Sequence, residues 1–312
     1  MKGDLKGMEY ILETKDLTKV YGQKEAARDV NLHIKEGQIY GLIGRNGAGK
    51  TTIMRMISGL SRPTRGSYSL FGKTGMAMRM MLKNVGVLIE HPGLYPRLSA
   101  YENLKIKCIA MGINPKGYIE SLLKTVGLED TDRKKGAGAY SLGMRQRLGI
   151  ALALVGDPKM IVLDEPINGL DPQGIVDVRE MLTRLRDEKG ITIMVSSHIL
   201  DELSKVADAY GIIHEGTLLD EFTAKELHER CGNSLILRTD DTAKTQQVLE
   251  NMGLGSAARE PDGSLRLTRG MEQSKEIAKA IVNAGIGLEE IYLRSKSLED
   301  YYLGMTGGTH NG

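Results

Sequence analysis

The sequence predicts an α/β fold in two parts: a parallel, helix-flanked sheet with an antiparallel β subdomain and a helical insertion, then a small C-terminal α/β domain. Three observations lead there. Four short apolar runs, Ile39 to Ile43, Val85 to Ile89, Met160 to Leu163 and Ile191 to Val195, have strand length and no polar face, the pattern of strands covered on both sides. A glycine-rich loop fit for phosphate follows the first run directly, as the strand–loop–helix order of such sites requires. Beyond Asn233, short strand-like and helical segments alternate on a smaller scale. A chain of 312 residues is long enough for one large domain and one small one.

The elements follow in order. Apolar and polar residues alternate in Tyr10 to Val20 and in Val30 to Lys35, with turns at Tyr21-Gly22 and Glu36-Gly37, which predicts antiparallel strands at the start. From Ser99 to Gly127 the spacing of Leu104, Ile106, Ile109, Ile119, Leu122, Leu123 and Val126 is helical, broken at Pro115; it opens a helical insertion over about 99–157. Met76, Met78, Met80 and Met81 read as flexible core filling. Glu215-Gly216 between Tyr210 to His214 and Thr217 to Phe222 marks a hairpin. The large domain is expected over 9–230 and the small one over 233–305. In the latter, strands at Ser234 to Thr239, Ser264 to Thr268 and Leu288 to Arg294 alternate with helices at Asp241 to Met252, Glu272 to Ala284 and Leu298 to Met305. The polar, glycine-rich end, 306–312, is expected to be disordered.

Composition excludes several classes. A net charge of +2 gives no basic excess for a phosphate backbone, so no nucleic acid partner is expected. Cys108 and Cys231 stand far apart and outside any metal-ligand spacing, which fits reduced cysteines in a cytoplasmic protein. Charges at Lys2, Asp4, Lys6, Glu9 and Glu13 interrupt any secretory core at the N-terminus. The longest apolar stretch, Leu148 to Val155, is far short of the roughly 20 residues that span a bilayer.

Gly44-Arg45-Asn46-Gly47-Ala48-Gly49-Lys50-Thr51 fits the G-x-x-x-x-G-K-[ST] phosphate loop, with Thr52 beginning the helix behind it. The glycines let successive N–H groups curl inward at the positive end of that helix, a nest for β- and γ-phosphates. Lys50 supplies a point charge, and the Thr51 hydroxyl can fill one place in the octahedral shell of Mg²⁺. Met160 to Leu163 then delivers Asp164 and Glu165 to a strand end, where open α/β sheets bind ligands. Neighbouring strand side chains point opposite ways, so the two carboxylates take separate tasks: Asp164 to Mg²⁺, Glu165 to the attacking water.

Ser141-Leu142-Gly143-Met144-Arg145-Gln146-Arg147, just upstream of Asp164, resembles the signature sequence of ATP-binding-cassette (ABC) ATPases, and the resemblance covers roughly residues 9–230. It implies a phosphate-loop NTPase (RecA-like) core that hydrolyses ATP. By the same likeness Tyr21 stacks on adenine, Asp171 in Asn168-Gly169-Leu170-Asp171 lies at a dimer seam, and His198 in Ser196-Ser197-His198 contacts the γ-phosphate. Taken alone, Tyr21 reads equally as a strand-end aromatic and His198 as a satisfied core histidine. The signature helix of one subunit faces the γ-phosphate held by the other, Ser141 donating its hydroxyl and Gly143 its N–H. The resemblance thus implies a homodimer, or a pair with a related ATPase subunit, acting on transmembrane permease subunits from the inner face of the cell membrane.

Two departures stand out. The usual signature is Leu-Ser-Gly-Gly-Gln, whereas Tyr140, Leu142 and Met144 occupy its first, third and fifth places; Ser141 and Gly143 remain. Where the family places a glutamine that touches Mg²⁺ this chain has Glu90, a further metal candidate whose charge would couple to Asp164 and Glu165. The runs Ile89 to Pro96 and Tyr140 to Met144 look like the branch that exports bacitracin or confers immunity to lantibiotic peptides. Leu94, Tyr95, Leu98 and Tyr101 resemble the groove that receives a helix of the transmembrane subunit. The rival uses of such an engine are a soluble ATPase acting on DNA or ribosomes, and a non-catalytic ATP sensor.

Overall fold

The computed structural model describes residues 10–306 apart from 133, 232, 296 and 297. The expected start at residue 9 and the tail beyond residue 306 therefore lie outside the described residues. The chain divides into two compact units between Ala224 and Lys225.

The first unit opens with β1 (Leu12–Tyr21), β2 (Lys24–Val30) and β3 (His33–Ile34). β1 pairs antiparallel with both, around the predicted turn after Tyr21. The expected strand from Val30 to Lys35 is broken. Asp29 takes a positive φ of 47°. Asn31 turns its amide to the backbone, its Oδ1 accepting from Asp16 N at 2.9 Å and its Nδ2 donating to Asp29 O at 3.0 Å. Of the expected span only His33–Ile34 form a strand of their own, β3, while Val30 ends β2, a strand over Lys24–Val30 that the alternation does not announce. Next come β4 (Ile39–Ile43), α1 (Lys50–Ile57), β5 (Arg65–Leu70), which joins the antiparallel sheet beside β1, and α2 (Gly75–Met81). The methionine run splits across α2: Met78 enters the core and Met81 packs partly against it, whereas Met76 and Met80 are exposed.

β6 (Val85–Leu88) precedes the helical insertion of α3 (Ala100–Ala110), α4 (Tyr118–Thr125) and α5 (Leu142–Leu154). Ser99 starts α3 through a reciprocal capping box with Glu102, which satisfies two end donors at once. β7 (Met160–Leu163), α6 (Pro172–Lys189), β8 (Thr192–Ser197), α7 (Leu200–Ser204), β9 (Ala209–His214) and β10 (Thr217–Thr223) complete the unit. α6 starts with Pro172 behind the capping Asp171 and stops at Gly190, whose φ of 63° suits glycine.

The six-stranded sheet has the order β10-β9-β4-β8-β7-β6, all parallel except the β9–β10 hairpin. Every residue of β4 and β7 is buried, and Ile39, Leu42 and Ile43 have no exposed surface. At about 1.5–3 kcal/mol per buried aliphatic side chain, that burial fixes the strand from which the phosphate loop springs. The loop ends of β4, β8 and β7 are adjacent, with Ile43 opposite Ser197 and Leu163 opposite Val195. Three segments distant in sequence therefore open on one spot, the usual ligand end of a parallel sheet.

The second unit begins within α8 (Ala224–Cys231) and continues as β11 (Asn233–Thr239), α9 (Thr242–Asn251), β12 (Ala258–Arg259), β13 (Leu265–Leu267), α10 (Ser274–Asn283), β14 (Leu288–Ser295) and α11 (Leu298–Thr306). Its antiparallel sheet runs β12-β13-β11-β14. Leu235 and Leu237 of β11, Leu265 and Leu267 of β13, and Leu249, Ile277 and Ile281 of the helices form its own core.

Candidate functional site

The phosphate loop leaves β4 at Gly44 and closes on α1 at Lys50. A side chain at Gly44 would meet Ile213 O at 2.5 Å, and one at Gly49, held at φ 110°, would meet Ala26 O at 2.5 Å. Glycine is required at both places because neighbouring backbone is already there. Lys50 is buried; its Nζ donates to Gly44 O at 2.5 Å and to Arg45 O at 3.3 Å. The ammonium is curled into the nest, which is part of a cleft of roughly 240 Å³ also lined by Asn46, Gly47, Thr51, Thr52 and Glu165. Ala48 is buried beneath it and accepts a backbone hydrogen bond from Gly216.

Asp164 is buried and doubly bound: Thr51 Oγ1 donates to its Oδ2 at 2.7 Å and Ser196 Oγ to its Oδ1 at 2.6 Å. The carboxylate and the Thr51 hydroxyl are hard oxygen donors in contact, a set that suits Mg²⁺. Glu165 diverges from Asp164, but not by strand pleat. β7 ends at Leu163, and Glu165 stands in the left-handed region at φ 51°. For a non-glycine residue this conformation is costly and marks a site the surroundings hold in place. The two carboxylates therefore separate through this backbone turn and not through strand alternation. Lys50 Nζ lies 3.1 Å from Glu165 Oε1, near enough for an ion pair, although Oε1 accepts no hydrogen bond from the described residues. His198 Nδ1 lies 2.8 Å from Glu165 Oε2. An ionised carboxylate only accepts, so His198 donates from Nδ1.

Lys50, Thr51, Asp164, Glu165 and His198 are thus brought together. Ser196, fully buried, links the Asp164 carboxylate to the backbone of Glu165: it donates to Asp164 and accepts from Glu165 N at 2.9 Å. The sequence signals Ser196 only by its place beside His198 at the end of an apolar strand, which assigns it no role.

The other candidates stand elsewhere. Tyr21 ends β1, 47% exposed, with Lys19 Nζ 5.0 Å from its ring centroid. Ser141 caps α5, its Oγ accepting from Met144 N at 3.2 Å, and Gly143 lies in the first turn behind it. Tyr140, the unusual first signature residue, is buried and its hydroxyl accepts from Ala100 N at 3.1 Å, tying the signature to α3. Asp171 caps α6 by accepting from Gly174 N at 3.2 Å. Glu90, at φ 64°, pairs with Arg55 at 2.7 Å with its side chain 57% exposed; its partner here is the arginine, not the Thr51–Asp164 pair. A larger cavity of about 530 Å³ opens between α3 and the segment after β6. Of the four expected groove residues only Tyr95 lines it; Ile89, Pro92, Ile106, Met111 and Leu152 supply its apolar wall.

A lysine in a backbone nest, a threonine–aspartate oxygen pair and a glutamate held between Lys50 and His198 define a phosphate-loop nucleotide hydrolase. The ABC transporter family model matches residues 27–168. The chain is 41% identical to the bacitracin transport ATP-binding protein BcrA of Bacillus licheniformis, over 96% of this chain and 99% of that protein. It is 43% identical to the lantibiotic transport ATP-binding protein SrtF of Streptococcus pyogenes, over 73% of this chain and 98% of that one. Among solved structures it resembles the dimeric post-hydrolysis state of the ATP-binding cassette MJ0796 bound to ADP and Pi, with a TM-score of 0.61 and 25% identity over 68% of this chain and 98% of that one. The chain belongs to the ABC transporter ATP-binding family, and it is an ABC-type ATPase. No helix among the described residues is long and apolar enough to cross a membrane.

Proposed function

We propose that this chain is the ATP-hydrolysing motor subunit of a bacterial ABC exporter, working as a dimer on separate transmembrane subunits at the inner face of the cell membrane, with a peptide antibiotic or similar drug as cargo. The observation that carries the catalytic part is the convergence of Lys50 and His198 on Glu165, 3.1 and 2.8 Å from its two oxygens, beside the buried Asp164. The export and cargo part is supported by likeness to the bacitracin and lantibiotic transport proteins along nearly their whole length.

In this mechanism the β- and γ-phosphates of ATP displace the carbonyls that hold Lys50, and the loop N–H groups of residues 46–51 cradle them, with Thr52 at the rim. Thr51 and Asp164 would hold Mg²⁺, which would supply positive charge to offset the negative charge of the phosphates. Glu165 accepts a proton from the water whose oxygen attacks the γ-phosphorus, while the bond from that phosphorus to the β,γ-bridging oxygen breaks. His198 orients Glu165 and turns to the γ-phosphate on closure. Glu90, paired with Arg55 at 2.7 Å, would have to release it to serve as a metal ligand. Tyr21 stacks on adenine. The partner's Ser141, whose Oγ is an acceptor within its own helix and so keeps its proton to donate, joins Gly143 N–H in clasping the γ-phosphate, with Asp171 at the seam. Loss of that phosphate removes the contact favouring the closed pair, and the halves part.

The test is Glu165→Gln. Turnover is expected to fall about 10²–10⁴-fold while Mg²⁺-dependent ATP binding survives. A wild-type protein that binds ATP yet turns it over no faster than Lys50→Ala would replace the motor with a nucleotide sensor.

A further inference from the structure

β14 is an edge strand: among the described strands it pairs only with β11. Its outer residues are open to solvent, with Tyr292 46% and Leu293 57% exposed, and Glu289, Glu290 and Arg294 also exposed. An eight-residue open edge bearing apolar side chains is a template for another strand. The sheet register fixes which way these side chains point. Leu293 lies opposite Leu235 and Ile291 opposite Leu237, both core residues, so Ile291 and Leu293 share the helix-covered face. Glu290, Tyr292 and Arg294 share the other.

We infer that this edge pairs with the β14 of a second copy of the chain, antiparallel about a twofold axis through Tyr292. A twofold axis normal to an antiparallel pair passes between a residue and its own image, so the candidate registers are few. Centred on Tyr292, Glu290 faces Arg294 of the partner twice over, and Ile291 faces the partner's Leu293 twice over. Every such pair is complementary: opposite charges on one face, aliphatic on aliphatic on the other, where the second copy covers the exposed Leu293. Centring on Ile291 instead sets Glu289 against Leu293 and Leu288 against Arg294, matching nothing. Among the described residues of one chain Glu290 and Arg294 have long ion-pair contacts, 3.7 Å to Arg238 and 3.9 Å to Glu260, so a closer partner can draw either of them. The pairing makes one eight-stranded sheet from two C-terminal units. It needs no nucleotide, so it stands or falls apart from the ATP-dependent contact proposed above.

The test uses the full chain without nucleotide. Sedimentation velocity at tens of micromolar is expected to give a dimer, which Arg294→Glu, by setting like charges opposite each other twice, weakens roughly tenfold. Tyr292→Cys is expected to form a disulfide-linked dimer on mild oxidation, because directly opposed residues have Cα atoms about 4.5–5.5 Å apart, within disulfide reach. Glu289→Cys, off the axis, is expected not to. A monomer that Tyr292→Cys fails to link overturns the inference. So does a dimer in which both cysteines link equally or neither does.

Discussion

Ser196→Ala probes the carboxylate pair without touching a phosphate-binding group. Its hydroxyl, fully buried, donates to Asp164 Oδ1 at 2.6 Å and accepts from Glu165 N at 2.9 Å. Alanine removes both bonds at once. A hydrogen bond to a charged group is worth about 1.5–3 kcal/mol, and an orphaned buried donor costs about 1–3 kcal/mol. The two overlap, because Thr51 still binds the other Asp164 oxygen and the backbone can relax around Glu165 N. The net loss of unfolding free energy is then about 2–4 kcal/mol, unscreened because Asp164 is buried. Urea denaturation measures it, with a lower midpoint at unchanged m-value. Loosening Asp164 is also expected to raise the Mg²⁺ concentration for half-maximal ATPase about 10–100-fold. A stability change within about 0.5 kcal/mol, the range of ordinary surface substitutions, together with unaltered Mg²⁺ dependence would refute the reasoning.

Three further predictions address the remaining candidates. Glu90→Gln breaks an exposed ion pair with Arg55 and is expected to cost under about 1 kcal/mol in urea unfolding; a shifted Mg²⁺ dependence supports its metal role, and an unshifted one removes it. Gly143→Ala introduces a Cβ that would meet only Leu170 Cδ2, at 3.8 Å, so stability is expected to hold or rise by up to about 1 kcal/mol; ATPase activity is expected to fall, because the methyl crowds the N–H offered to the partner's phosphate. Asp262 accepts from the Ser264 hydroxyl and backbone and from Arg238, which hold its carboxyl down at about 2. Its unfolded value is near 3.9, so its stabilising contribution is complete above about pH 4 and is lost as pH falls toward 2. Hydrogen exchange of β11 and β13 amides is expected to accelerate across that window, and Asp262→Asn to abolish the part of the acid response due to this group.

Much of the site was legible because its motifs are contiguous. The phosphate loop, Asp164, Glu165 and His198 each end a strand whose uniform apolarity announces burial on both faces, and β4 and β7 have the predicted bounds. What escaped depends on residues far apart in sequence. Ser196 acquires its role only because β8 lies beside β7, 32 residues from its carboxylate partner. Glu90 meets Arg55 only through the fold. β5 escaped because its first three residues are exposed and show no alternation. β2 is hidden because its pairing with β1 carries register shifts after Leu17 and Lys19, and β3 is shorter than the expected Val30 to Lys35 because side-chain hydrogen bonds at Asn31 interrupt that span. The short edge strand β12 has too few residues to carry a period.

The central claim is that each ATP site is shared between two chains, and mixing two disabled variants tests it most directly. Lys50→Ala lacks the cradle charge, and Ser141→Arg lacks the clasping helix tip. Each homodimer is expected to be inactive. A mixed dimer contains one site that combines the intact Lys50 of one chain with the intact Ser141 of the other, so ATPase activity is expected to reappear on mixing. Full activity of Ser141→Arg alone, or silence from a mixture in which mixed dimers are demonstrably present, would contradict the account.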